Sequence, residues 1–125
     1  GGAYGDMYGG AGPYDRIEGP YTLGSGTVMG TIPDDGTASV WGIRTNPGDV
    51  VAIRVDPLDG QDVIIDVREG STGQSIFEGG PHDLEVGSEL ITGLVFPNGG
   101  DYSIVIYGFS ISDSGRYELL IIEGE

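Results

Sequence analysis

The chain contains no cysteine and no lysine. Without cysteine there is no disulfide, no thiolate nucleophile and no thiolate metal site. Without lysine, positive charge is confined to Arg16, Arg44, Arg54, Arg68 and Arg116, against 20 carboxylates, and the net charge is −15. That balance excludes nucleic acid, which demands a basic footprint, and anionic membrane surfaces. It suits divalent cations or a salty milieu. No apolar run approaches the ~20 residues of a membrane span. No stretch repeats apolar residues at helical spacing. The lone histidine, His82, sits in Gly80-Pro81-His82-Asp83 with no nucleophile elbow near it, so it reads as a solvated loop residue and the chain as a non-enzyme. The sequence does not start with Met, and the expectation drawn is a secreted, extracellular chain whose signal peptide has been removed.

What is present is alternation. Val51, Ile53 and Val55 share one face of a run in which Ala52 and Arg54 take the other. Val63, Ile65 and Val67 do the same, with Asp62, Asp66 and Arg68 outward. Period two with β-branched residues is the mark of half-buried strands. Turn clusters such as Asp34-Asp35-Gly36, Asn46-Pro47-Gly48 and Pro97-Asn98-Gly99-Gly100 punctuate the runs. Strands are expected at about 26–32, 38–45, 49–56, 62–68, 74–78, 88–96, 101–108 and 116–123, with consecutive strands antiparallel. The fold class expected is all-β: a jelly-roll-like antiparallel β-sandwich of about eight strands with an extended N-terminal arm. Residues 1–20 form the Gly/Tyr-rich arm and residues 21–125 the sandwich.

Gly48-Asp49-Val50-Val51-Ala52-Ile53-Arg54-Val55, followed by Asp62-Val63-Ile64-Ile65-Asp66-Val67-Arg68 and Gly73, resembles the first half of a bacterial pre-peptidase C-terminal domain. The second half of that family is similar to Gly100-Asp101-Tyr102 with its strand, then Gly115-Arg116-Tyr117 with the last strand. The resemblance spans about residues 26–123. It implies a jelly-roll-like sandwich in secreted proteins with no enzymatic activity of its own, and relatives that bind calcium or matrix polymers.

Asp56, Asp59 and Asp62 recur every third residue around Gly60, a spacing able to offer carboxylates to Ca2+, with Asp34 and Asp35 a second place. Asp and Gly are also ordinary turn residues. Trp41, Tyr107 and Phe109 are the aromatic platforms for a polysaccharide, although Trp41 lies in an alternating strand and fits a core better. Gly24-Ser25-Gly26-Thr27-Val28-Met29-Gly30 nearly matches a dinucleotide fingerprint. It displaces the third glycine and precedes no helix, so it reads as a flexible lead into a strand.

Two features remain. Strands 101–108 and 116–123 are apolar on both faces, through Val105, Tyr107, Leu120 and Ile122. Something must cover the second face: a loop or tail of the same molecule, or another subunit. The first twelve residues are half glycine yet carry Ala3, Tyr4, Met7 and Tyr8, with Tyr14 beyond. Twelve extended residues reach about 40 Å, enough to lie on a neighbour and add to its sheet. The function expected is a structural subunit that self-assembles into an extracellular filament through this arm, with the arginines at interfaces. The alternative is a non-catalytic adhesion or targeting module binding calcium or an extracellular polymer such as polysaccharide.

Overall fold

The computed structural model describes residues 7–83 and 86–124. They form eight strands: β1 (Arg16–Pro20), β2 (Val28–Ile32), β3 (Ser39–Thr45), β4 (Asp49–Pro57), β5 (Val63–Glu69), β6 (Glu89–Phe96), β7 (Gly100–Gly108) and β8 (Gly115–Glu123). One sheet has the order β1-β3-β7-β5 and the other β2-β8-β4-β6. Successive strands therefore alternate between the sheets along the whole chain, and no two successive strands are hydrogen-bonded neighbours. Pairing is antiparallel everywhere except β1 with β3. Successive strands also reverse direction, except across β5 to β6, where the long connection after Glu69 returns along the molecule. Hereafter the tip is the end where β7 closes at Gly108 and β8 opens at Gly115; the base is the opposite end.

The alternation in sequence becomes the core. Val51, Ile53 and Val55 of β4 with Tyr117, Leu119 and Ile121 of β8 face Val63, Ile65 and Val67 of β5 with Ile43, Ile104 and Ile106 of β3 and β7 across the sandwich, all fully buried or nearly so. Burying one such side chain is worth about 1.5–3 kcal/mol, so these rows fix the register. Asp66 is on the outer face as expected, but it is buried there, taking Arg68 Nε at 2.7 Å and Ser75 Oγ at 2.6 Å.

Two expectations need correction. The segment 74–78 is not a strand; it touches β5 through a single Arg68–Ser75 bridge while Ile76 and Phe77 pack on the core from a loop. Gly79, Gly80 and Pro81 follow at once and leave no length for a ladder. Conversely, Arg16–Pro20, placed in the arm, is an edge strand of the sandwich. Its pattern is inverted: Ile17 is half exposed, and Glu18 is the side chain that turns inward. No helix long and apolar enough to cross a membrane occurs among the described residues.

Candidate functional site: the seat of the N-terminal segment

Residues 7–20 run along the outer face and edge of the β1-β3-β7-β5 sheet. Ala38, Val40 and Val105 form a small apolar cluster on that face, and Tyr8, Ala11 and Tyr107 pack against it. Ser103 Oγ donates to the Met7 carbonyl at 3.0 Å and accepts from the Gly10 N–H at 3.4 Å. Arg68 Nη1 donates to the Gly10 carbonyl at 2.8 Å. Asp15 closes the run: its carboxylate accepts from the N–H groups of Gly12 at 2.6 Å and Ala38 at 2.9 Å. Burial pushes up the hydroxyl pKa of both Tyr8 and Tyr107.

Glycine makes the approach close. A Cβ on Gly9 would stand 1.7 Å from the carbonyl oxygen of Gly70, and one on Gly42 would stand 2.0 Å from Met7 Cγ. Backbone lies on backbone at Gly9, and the Met7 side chain lies on backbone at Gly42, approaches that only residues without side chains permit.

β1 then continues as a parallel edge strand. Arg16 and Ile17 pair with Ser39 and Val40, whereas Gly19 pairs with Trp41, so Glu18 is the extra residue of a bulge. Gly19 has φ +127°, a conformation that glycine tolerates. Glu18 follows the outward Ile17 and so points between the sheets, where its carboxylate accepts from the Thr31 N–H of β2 at 2.8 Å and from the Ser39 hydroxyl of β3. Ser39 is 2.6 Å from the Tyr117 hydroxyl, which accepts from Trp41 Nε1 at 2.7 Å. Burial drives the Tyr117 hydroxyl far above the usual phenol range, so it stays protonated and donates to Ser39. The chain of donors runs from Trp41 to Tyr117 to Ser39 and ends on Glu18. Trp41 is thus a core residue rather than an exposed platform.

The other residues singled out in sequence are distributed as follows. Ala3 and Tyr4 lie outside the described residues. Met7 and Tyr8 sit on their own sheet, and Tyr14 is exposed at the tip end. Val105 and Tyr107 lie beneath or beside the segment, so the second face of β7 is covered within the molecule. Leu120 and Ile122 of β8 are on the other sheet, next to Arg54 and Ala52; Ile122, Leu90, Val95 and Met29 there stay exposed. The three candidate calcium ligands are given separate partners. Asp56 pairs with Arg54 at 2.9 Å, Asp59 with Arg116 at 3.0 Å, and Asp62 accepts the Gly87 N–H at 3.0 Å. The Arg116 hydrogen bonds hold the Asp59 carboxyl below the ordinary range. Asp35 caps the N–H and hydroxyl of Thr37 in its own turn. No group of three potential metal-binding side chains gathers among the described residues. The arginines, expected at interfaces, each pair with a carboxylate of the same chain. His82 Nε2 lies 3.5 Å from the buried Glu89 carboxylate, so it is half-buried rather than solvated. Glu18, Ser103 and Arg68 carry much of the seat, and none was singled out from sequence for that role. The one available signal was Glu18 occupying the inward position of a short alternating run.

No family model matches the chain, and no curated protein sequence matches it. Solved structures do. The pre-peptidase C-terminal domain of a collagenase from Bacillus anthracis aligns over 86% of this chain and 93% of its own, at 16% identity and TM-score 0.61. A surface-associated copper-binding protein from Methylomicrobium album aligns over 86% and 98%, at 11% identity and TM-score 0.60. A periplasmic inhibitor of g-type lysozyme from Aeromonas hydrophila aligns over 87% and 98%, at 14% identity and TM-score 0.58. At these identities the likeness is one of fold. The chain has the β-sandwich fold seen in a pre-peptidase C-terminal domain.

Proposed function

We propose that the chain is a non-catalytic, extracellular structural subunit that assembles with copies of itself into a filament by handing its N-terminal segment to a neighbour. The observation that carries this reading is the character of the seat. The segment covers an apolar strip of a finished sheet through backbone contacts and an edge strand. Contacts that one chain makes to itself through a terminal segment can be made between copies without redesign. Parallel pairing is the weaker kind per residue, so β1 is the edge element most readily exchanged. The exposed apolar residues of β8, β6 and β2 offer a second contact between copies. An address outside the cytoplasm is in keeping with the periplasmic and surface-associated proteins that share the fold. The test is electron microscopy of the full chain and of a variant lacking residues 1–12. Filaments are expected from the first and not from the second; equal assembly by both refutes the role of the segment.

One observation favours a second reading, an adhesion module for an extracellular polymer: Phe109 and Ile111 stand exposed together on the tip loop between β7 and β8. That reading predicts a discrete particle at every concentration in size-exclusion chromatography with light scattering.

A further inference from the structure

We propose that Glu18 is the recognition group of the N-terminal segment. The slot between β2 and β3 is a carboxylate-reading site that accepts an extended strand only when an acid stands at the bulge. The ligand class is an extended peptide segment carrying a carboxylate before Gly-Pro, and its source is this chain or, on the filament reading above, a second copy of it.

Four features converge on that one side chain. The alternation of β1 sets Glu18 on the inner face with Arg16 and opposite to Ile17, and the bulge leaves it without a partner on β3, so that its carboxylate meets the neighbouring sheet. The carboxylate is then almost wholly removed from water, with its side chain 7% exposed. It meets donors from two different strands, the Thr31 N–H and the Ser39 hydroxyl, both on Oε2, while Arg16 Nε lies 3.1 Å from each oxygen. Finally, the donor chain behind Ser39 has a fixed direction, since Trp41 Nε1 can only donate. It therefore delivers a proton donor to the slot and requires an acceptor there. An apolar side chain at position 18 would leave the Ser39 hydroxyl and the Thr31 N–H facing nothing, and buried donors without partners are heavily penalised.

The room for this arrangement is also built in. Gly30 lies beside the slot, and a Cβ there would stand 2.3 Å from the Tyr117 hydroxyl and 3.0 Å from Glu18 Oε2. The remaining contacts of β1 are generic main-chain bonds that any sequence can make. Setting register is the best-attested use of buried polar groups, and the network assigns that task for β1 to Glu18.

The test uses the intact monomeric chain and trypsin. With no lysine, the only cleavage sites are the five arginines, and Arg16 is the only one in the segment. In the wild type, cleavage after Arg16 is slow because the bond lies in a paired strand. In Glu18→Ala it accelerates at least about tenfold, as expected for loss of a hydrogen bond to a charged group, while Arg54 and Arg68 are cut at the wild-type rate. Glu18→Gln, which keeps an acceptor oxygen, falls between them. An unchanged rate after Arg16 in Glu18→Ala overturns the proposal, as does equal acceleration at all five sites in both variants. Electron microscopy of the same variants is read separately. Accelerated cleavage with no filaments even from the wild type keeps the recognition and discards the filament. Filaments of unaltered yield from Glu18→Ala discard recognition between copies.

Discussion

Replacing Gly9 with alanine tests directly whether glycine seats the segment. The new Cβ would be 1.7 Å from the Gly70 carbonyl oxygen, 2.7 Å from its carbon and 3.2 Å from its Cα. All three are backbone atoms of a connection that hydrogen-bonds Asp101 through the Gly70 N–H at 2.9 Å, so the strap must retreat rather than the sheet. Ordinary contact begins near 3.4 Å, and a retreat of about 1.7 Å stretches the Arg68–Gly10 bond of 2.8 Å and the Ser103–Met7 bond of 3.0 Å past usefulness. The first is charge-assisted, worth about 1.5–3 kcal/mol, and the second about 0.5–1.5 kcal/mol. With part of the cover over Val40 and Val105 lost as well, local undocking of about 2–4 kcal/mol follows, a fall of roughly 30- to 1,000-fold in protection. Gly12→Ala is the matched control. The nearest atom to its Cβ would be the end of the Asp15 side chain, at 3.2 Å, which can give way by a few tenths of an ångström. Amide exchange by mass spectrometry over residues 7–14 should show a large loss of protection in Gly9→Ala and a small one in Gly12→Ala. Equal protection in wild type and Gly9→Ala would refute the close-approach argument.

Tyr117→Phe strips the hydroxyl from the middle of the donor chain and leaves Trp41 Nε1 buried without its partner. Stability should fall by about 2–4 kcal/mol, read by urea denaturation followed through the fluorescence of the single tryptophan; a loss under about 0.5 kcal/mol refutes it. Asp113 accepts from the N–H of Asp62 and from the N–H and hydroxyl of Ser110, bonds that lower its pKa, with the Asp62 bond the largest cause. A folded-state pKa below the unfolded value stabilises above the unfolded value of about 3.9 and loses that contribution as pH falls through the lower folded value. Asp113→Asn should therefore flatten the acid limb of melting temperature against pH below about 4, and parallel acid limbs in the two proteins would contradict the assignment.

Much of the sandwich was legible because β4 and β5 display period two with β-branched residues on one face, a pattern that burial on one side enforces. β1 was not, because its apolar residue points out and its acid points in, the reverse of what a half-buried strand displays. Its identity depends on Thr31 and Ser39, which a local reading cannot bring near Glu18. The opposite error at 74–78 has the same root: Ile76 and Phe77 are apolar because a loop buries them, and periodicity over five residues does not separate the two cases. That β7 and β8 need cover on both faces was readable from composition. Which of them the chain covers itself was not, since it depends on strands alternating between sheets, so that β7 lies under the N-terminal segment and β8 lies on the far side.

That division bears on how exchange between copies is balanced. A segment tethered to its own seat sees it at an effective concentration in the millimolar range, so an identical seat on a neighbour is at a disadvantage until something else holds the neighbour close. On the filament proposal, the free face of β8, with Leu120 and Ile122, would supply such a contact. Tyr21 supplies the fixed point. Its hydroxyl donates to the Gly26 carbonyl at 2.6 Å and accepts from the Ile121 N–H at 3.0 Å, so only the residues before it are free to leave. From Tyr21, residues 7–20 reach about 45 Å when extended, against roughly 30 Å for the nine-residue strands of the sandwich. β1 runs toward the base, so on the filament proposal a donor strand keeping its parallel register would enter the neighbour with the same polarity at every step, a head-to-tail contact that grows an open filament unless its rotation closes a ring. Against it stands a net charge of −15 per copy, with each arginine already paired inside its own chain. Screening over about 10 Å at 0.1 M salt removes most of that repulsion without weakening the buried contact at Glu18. On the filament proposal, salt would act on whether copies approach, and the carboxylate slot on what is exchanged once they have.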